Sequence, residues 1–258
     1  LLDKAKEEGM IAAYKPANAK FLLPLYAYPN EPAFTGTTMY PLVVGYNTDA
    51  LKKMGVQPPK TYEDLLNPQW KDKIIMPHPA ASGTGYAFLI TVIQLYREKG
   101  ESGIQSKKGW EYLTKLNQNM SQYTRSGSAP AKLVATGEFP LCITFYDRVF
   151  QLAAEGYPIA FTAPSPTFAE PSCTAIVANA PNMEGAKKFM EFILSKSAQE
   201  LAGTLGNYSV RPDVAPPKGA IPLKDIKVFQ DDYKWGSKYK KEILNEFTAK
   251  VAMGKKAS

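Results

Sequence analysis

Residues Lys73-Ile-Ile-Met-Pro-His-Pro-Ala-Ala-Ser-Gly-Thr-Gly-Tyr-Ala-Phe-Leu89 run from a short apolar stretch through a Ser82-Gly83-Thr84 turn into the start of a helix. A second stretch of the same shape, Met120-Ser-Gln-Tyr-Thr-Arg-Ser-Gly-Ser-Ala-Pro-Ala-Lys-Leu133, does so through Ser126-Gly127-Ser128. Each predicts a strand, a tight turn and a helix. Small turn residues let a ligand approach the backbone, and hydroxyls add donors. The first turn of a helix adds unpaired N–H groups carrying partial positive charge. Such a turn holds an anion without an arginine cluster. The plainer reading is that each serine merely caps its helix. Two turns of this kind, both after strands, favour ligand binding over capping alone.

The flanking sequence extends the alternation. Tyr40–Tyr46 is continuously apolar and reads as a strand buried on both faces. Asn47-Thr48-Asp49 caps a short helix to Met54, and Thr61 with Asp64 forms a capping box. Helices are expected over Gly85–Glu98, Lys107–Asn117 and Ala129–Thr136. The strand Pro140–Tyr146 ends in Tyr146-Asp147-Arg148. Ligands in open α/β sheets gather at the carboxyl ends of strands, so this tripeptide is placed to join the two turns. An Asp147–Arg148 surface ion pair is an equal alternative. After the linker Ala163-Pro-Ser-Pro166, a buried strand is expected over Cys173–Ala178. Met183–Leu194 carries a helical stripe of Ala186, Phe189, Met190 and Ile193, and Ser197 is expected to cap the helix that follows. A last helix, Tyr233–Val251, places Trp235, Tyr239, Ile243 and Phe247 on one docking face. Strands alternating with helices make this an α/β protein.

The totals narrow the function. The 258 residues suffice for one large domain or two lobes. With 31 basic against 24 acidic residues the net charge is +7, but the basic residues are scattered in pairs such as Lys52-Lys53 and Lys187-Lys188. That is the pattern of solvated helix faces, so no nucleic-acid partner is expected. A single histidine, His78, between two prolines, leaves no Cys/His cluster for zinc. It also leaves Ser126 or Ser128 without an evident base, so the chain is not expected to be an enzyme, and no cofactor is expected. Cys142 and Cys173 lie in apolar settings and read as free thiols rather than a disulfide. No stretch has the length of a membrane span. Leu1-Leu-Asp-Lys-Ala-Lys-Glu-Glu-Gly9 starts inside a helix without a Met or a capping residue, so a preceding segment is expected.

Six segments in this order resemble the substrate-binding proteins of bacterial ABC importers. They are Gly45–Leu51, Thr61–Ile74, Pro79–Gly85, Ser126–Lys132, Ala186–Phe189 with Ser197–Gln199, and Val210–Asp213. More narrowly, these segments are similar to the type 2 periplasmic-binding group that takes up ferric ion, 2-aminoethylphosphonate and sugar phosphates. The resemblance implies a two-lobed α/β type 2 fold with two crossover hinge strands and ligand clamped by hinge closure. It places lobe one at residues 1–49 and 173–258 and lobe two at 50–172, and implies that the N-terminal βαβα part of lobe one is absent from this sequence. It further implies an extracytoplasmic or periplasmic, lipid-anchored or secreted monomer that delivers a small anionic solute to ABC permease subunits. Ser82, Gly83, Thr84, Ser126, Gly127 and Ser128 would hold the anionic head, joined by Tyr146, Asp147 and Arg148. Ferric-binding relatives carry two adjacent tyrosines where this chain reads Tyr146-Asp147, so a ferric alternative would use those two residues as oxygen donors. An alternative from another class is the ligand-sensing domain of a regulator.

Overall fold

In the computed structural model, residues 2–28, 30, 33–222, 225–229 and 232–252 are described. The strands are β1 (Ile11–Ala12), β2 (Thr35–Asn47), β3 (Ile74–Pro77), β4 (Met120–Thr124), β5 (Leu141–Phe145), β6 (Ile159–Thr162), β7 (Thr167–Thr174), β8 (Ile176–Val177), β9 (Tyr208–Ser209) and β10 (Val228–Phe229). The helices are α1 (Leu2–Glu7), α2 (Pro24–Ala27), α3 (Thr48–Met54), α4 (Gly83–Leu95), α5 (Lys107–Asn119), α6 (Ala129–Ala135) and α7 (Tyr146–Ala154). They are followed by α8 (Met183–Ile193), α9 (Lys196–Thr204), α10 (Tyr233–Lys238) and α11 (Lys240–Glu246). Contacts divide the chain into two units: residues 1–40 with 170–225, and residues 41–169 with 226–258.

The larger unit is built on β2, β5, β3 and β4. The second half of β2 runs antiparallel to β5, from Leu42 opposite Phe145 to Tyr46 opposite Leu141. On its other edge it pairs with β6. Strand β3 is parallel to both β5 and β4, with Pro77 opposite Thr124. The apolar runs that mark these strands are buried on both faces: Val43, Val44, Ile74, Ile75, Cys142 and Ile143 are each at most 2% exposed. The start of α3 follows from Asn47, whose side chain accepts from Ala50 N, and its end from Gly55 in the left-handed region at φ 67°. The Thr61/Asp64 box forms as expected, with Asp64 N donating to Thr61 Oγ1 and Thr61 N to Asp64 Oδ2. It opens a single 3-10 turn, Glu63–Leu66.

In the smaller unit, β1 pairs antiparallel with β8, and Thr38 and Met39 of β2 pair with β9. Glu191 on α8 ties the N-terminal stretch to this body, accepting from Tyr14 Oη and from the N–H groups of Ala17 and Asn18. Arg211, 6% exposed, holds Asp213 through two hydrogen bonds and also donates to the Leu194 carbonyl. Arg211 and Tyr208, whose hydroxyl donates to the Ile221 carbonyl, are thus tied up within this unit.

Several boundaries differ from the sequence expectation. The strand expected at Cys173–Ala178 is divided between the end of β7, which starts at Thr167 directly after the Pro-rich linker, and β8 at Ile176–Val177. Ser195 rather than Ser197 caps α9, accepting from Ala198 N. On α8, Met190 is buried but Phe189 is 58% exposed, so only part of the expected stripe faces the core. The last helix is broken into α10, α11 and a π-turn at Phe247–Ala252. It packs with the middle of the chain, within the larger unit. Trp235 Nε1 donates to the Gly103 carbonyl, Asn117 Nδ2 to the Val251 carbonyl, and Phe247 meets His78 and Tyr123 edge-on. Cys142 and Cys173 are free thiols.

Candidate functional site

Because β5, β3 and β4 are neighbours and parallel, their carboxyl ends share one edge of the larger unit. Ser82-Gly83-Thr84 follows β3, Ser126-Gly127-Ser128 follows β4, and Tyr146-Asp147-Arg148 follows β5. The two Ser-Gly turns touch. A methyl group on Gly127 would lie 3.0 Å from Ser82 Oγ and 3.0 Å from Thr84 Oγ1. The second turn therefore presents bare backbone to two hydroxyls of the first.

The capping explanation does not account for these serines. Neither Ser82 nor Ser128 makes a side-chain cap hydrogen bond to its helix. Tyr86 N donates to the Ser82 carbonyl and closes the first turn of α4, which leaves Gly83, Thr84 and Gly85 as the unpaired donors of the helix start. The second turn is braced from within. Thr124 Oγ1 donates to the Ser126 carbonyl at 2.9 Å, and the Ser126 and Ser128 hydroxyls lie 3.1 Å apart. Ser126 and Ser128 are exposed, Ser82 and Thr84 half-buried. Hydroxyls, backbone donors and a helix dipole of 13 residues thus converge at one strand edge, with no acidic side chain in either turn.

The two glycines of the first turn have different reasons. A Cβ on Gly83 would meet nothing within 4 Å, whereas a Cβ on Gly85 would lie 2.2 Å from the Pro77 carbonyl oxygen. Gly85 lets α4 press on the end of β3, while Gly83 faces open space. His78, at the same edge, is a packing residue: its ring stands edge-on to Tyr123 and Phe247, and its Nδ1 accepts from Ala80 N. Burial lowers its pKa, in keeping with a neutral ring that accepts at Nδ1.

The third group is only partly brought to the site. Tyr146 is fully buried, its ring packed against Phe161 at 4.9 Å and Phe150 at 5.6 Å. Asp147 pairs with Arg148 at 3.3 Å, the Asp147 side chain 17% and the Arg148 side chain 50% exposed. Burial raises the Asp147 pKa, opposed by Arg148 and by backbone N–H groups. A folded-state pKa above the unfolded value means that the ionised form opposes folding as pH rises through that pKa. Asp147→Asn is therefore expected to raise the melting temperature at pH 7, with the gain vanishing below about pH 4, where the unfolded aspartate protonates. The lost partner for Arg148 counts little because that guanidinium is largely solvated. A melting temperature that falls at pH 7 would contradict this. Among the described residues, no group of three or more His, Cys, Asp or Glu could hold a metal ion, and no helix is long and apolar enough to cross a membrane.

An uncharacterized protein of Haemophilus influenzae is 31% identical over 79% of this chain and 58% of its own length. Iron uptake protein A1 of Synechocystis is 26% identical over 87% of this chain and 63% of its own length. A putative 2-aminoethylphosphonate-binding periplasmic protein of Salmonella typhimurium is 27% identical over 66% of this chain and 50% of its own length. The chain thus spans between half and two thirds of the length of these curated relatives. Among solved structures, the periplasmic binding protein AfuA of Actinobacillus pleuropneumoniae, with fructose-6-phosphate bound, superposes with a TM-score of 0.79 at 28% identity. That match covers 97% of this chain and 79% of AfuA. The family model of the bacterial extracellular solute-binding proteins matches residues 10–229, and the chain belongs to that family.

Proposed function

We propose that the protein is the periplasmic solute-binding component of an ABC importer, and that it captures a small anionic solute, a phosphonate or a phosphate ester, by hinge closure. The observation that carries this reading is the convergence of Ser82 Oγ and Thr84 Oγ1 on the bare backbone of Gly127, at the start of α4. Phosphate-type oxygens take hydroxyl and N–H donors at a helix start, and no carboxylate stands in either turn to repel them. The names of the Salmonella relative and of the AfuA complex point to the same ligand chemistry. Ser82, Gly83, Thr84, Ser126, Gly127 and Ser128 would hold the anionic head. Asp147 and Arg148, at the same strand edge, would meet the rest of the solute. The permease subunits of the importer are the partner that receives it.

A ferric reading draws support from the Synechocystis relative. It would require the fully buried phenol of Tyr146 to reach a metal beside Asp147. Thermal-shift screening against 2-aminoethylphosphonate, fructose 6-phosphate and ferric citrate separates the two readings. The expected result is a melting point raised by several degrees with a phosphonate or sugar phosphate, since a ligand at about 100 times its Kd contributes about 2.7 kcal/mol. If only iron shifts the melting point, with a tyrosinate colour lost in Tyr146→Phe, the anion reading is wrong.

A further inference from the structure

The proposed cradle has a basic neighbour supplied by the far end of the chain. The C-terminal helices descend α4 in antiparallel register. At the top, Asp232 N donates to Gln94 Oε1 at 2.8 Å. One turn lower, Tyr86 Oη donates to the Gly236 carbonyl at 2.6 Å, and a Cβ on Gly236 would lie 3.2 Å from Ile90 Cδ1. One turn further, Lys240 Nζ stands over the Tyr86 ring, 5.1 Å from its centroid. Residues 94, 90 and 86 are spaced by four and share one face of α4, whose N-cap is Ser82. The series 232, 236, 240 therefore advances along that face toward Ser82. Beyond it, Phe247 meets His78 and Tyr123, which precede the two turns in sequence. The segment from Lys240 to Phe247 thus passes the edge of the cradle.

Lys240 is exposed, and among the described residues it makes no ion pair. Lys108, Lys187 and Lys250, by contrast, are each paired with a glutamate. The ammonium is held by an aromatic face, an attraction that fixes its place without neutralising its charge. Tyr86 stands in the first turn of α4, four residues after the N-cap Ser82.

We infer that Lys240, seated on the Tyr86 ring, is a further recognition residue of this site, attracting the phosphate or phosphonate head of the solute to the cradle. The inference rests on the anion reading of the two turns. Binding of 2-aminoethylphosphonate and fructose 6-phosphate would be measured by calorimetry at several salt concentrations for the native protein, Lys240→Gln, Lys240→Arg and Tyr86→Leu. Lys240→Gln is expected to weaken binding about three- to tenfold at low salt, with the difference shrinking as salt rises. Lys240→Arg is expected to stay within about twofold of the native protein, because the charge and the ring contact persist. Tyr86→Leu should fall between the two. A merely structural lysine would leave the salt slope unmoved. Lys240→Gln with native affinity and native salt slope overturns the role of Lys240 while the cradle stands. A native protein that binds neither compound removes the cradle and Lys240 together.

Discussion

Gly85→Ala is expected to lower the stability of the larger unit by about 3 kcal/mol, the upper range for forcing a methyl group into packed structure. For a body of this size that corresponds to a melting point roughly 6–12 °C lower. The added Cβ would lie 2.2 Å from the Pro77 carbonyl oxygen and 2.9 Å from the carbonyl carbons of Pro77 and His78. These are backbone atoms at the end of a strand paired on both sides, so no side-chain rotation relieves the overlap. Gly83→Ala, two residues earlier, adds a methyl group into open space at a helical position and should raise the melting point by about 1–4 °C. Thermal unfolding of the two variants side by side decides the matter. Equal melting points would mean that α4 does not press on β3 as described.

That contrast marks how far the sequence carries. The Ser-Gly-Thr-Gly pattern places a turn between a strand and a helix, and the structure has it there. The pattern treats Gly83 and Gly85 alike, however, because what separates them is the position of the Pro77 carbonyl, a tertiary fact. Local chemistry was legible where partners are close in sequence: Asn47 capping α3 and the reciprocal Thr61/Asp64 bonds. It failed where the partner is remote. The spacing of Trp235, Ile243 and Phe247 predicts a docking face, yet periodicity does not name the surface it docks against, and that surface is α4, α5 and the ends of β3 and β4. For the same reason Lys240 could not be told from other surface lysines. Tyr146 shows a different limit. The end of a strand is the right place for a ligand residue, but Tyr146 is already the first residue of α7, and its ring turns into an aromatic cluster with Phe150 and Phe161. The exposed Phe189 is the converse case, since an apolar residue at helical spacing identifies a face without fixing what covers it.

The double variant Ser82→Ala, Thr84→Val is expected to lose about a hundredfold or more in affinity for a phosphonate or sugar phosphate. Hydrogen bonds to a charged group are worth about 1.5–3 kcal/mol each, and every 1.4 kcal/mol is about a factor of ten in Kd. The same substitutions should leave the fold nearly untouched, because the Ser82 hydroxyl makes no cap bond and both side chains are half-buried rather than sealed in the core. The melting point of the ligand-free protein should therefore move by about 2 °C or less. Gly127→Ala approaches the same space from the other turn. Its methyl group would sit 3.0 Å from each hydroxyl, where the anion is proposed to enter, and its neighbours are side-chain atoms that can yield by a few tenths of an ångström. Affinity should fall and stability hold, the reverse of Gly85→Ala. Calorimetric titration paired with thermal unfolding reads both quantities. If the double variant binds as tightly as the native protein, the contact between the two turns is packing and the solute is held elsewhere. If binding and melting point fall together, the hydroxyls support the fold and the loss says nothing specific about the anion, which refutes the cradle as a dedicated site. Only loss of affinity at unchanged stability supports the reading that two strand-end turns, far apart in sequence and adjacent in the sheet, were brought together to grip one charged group.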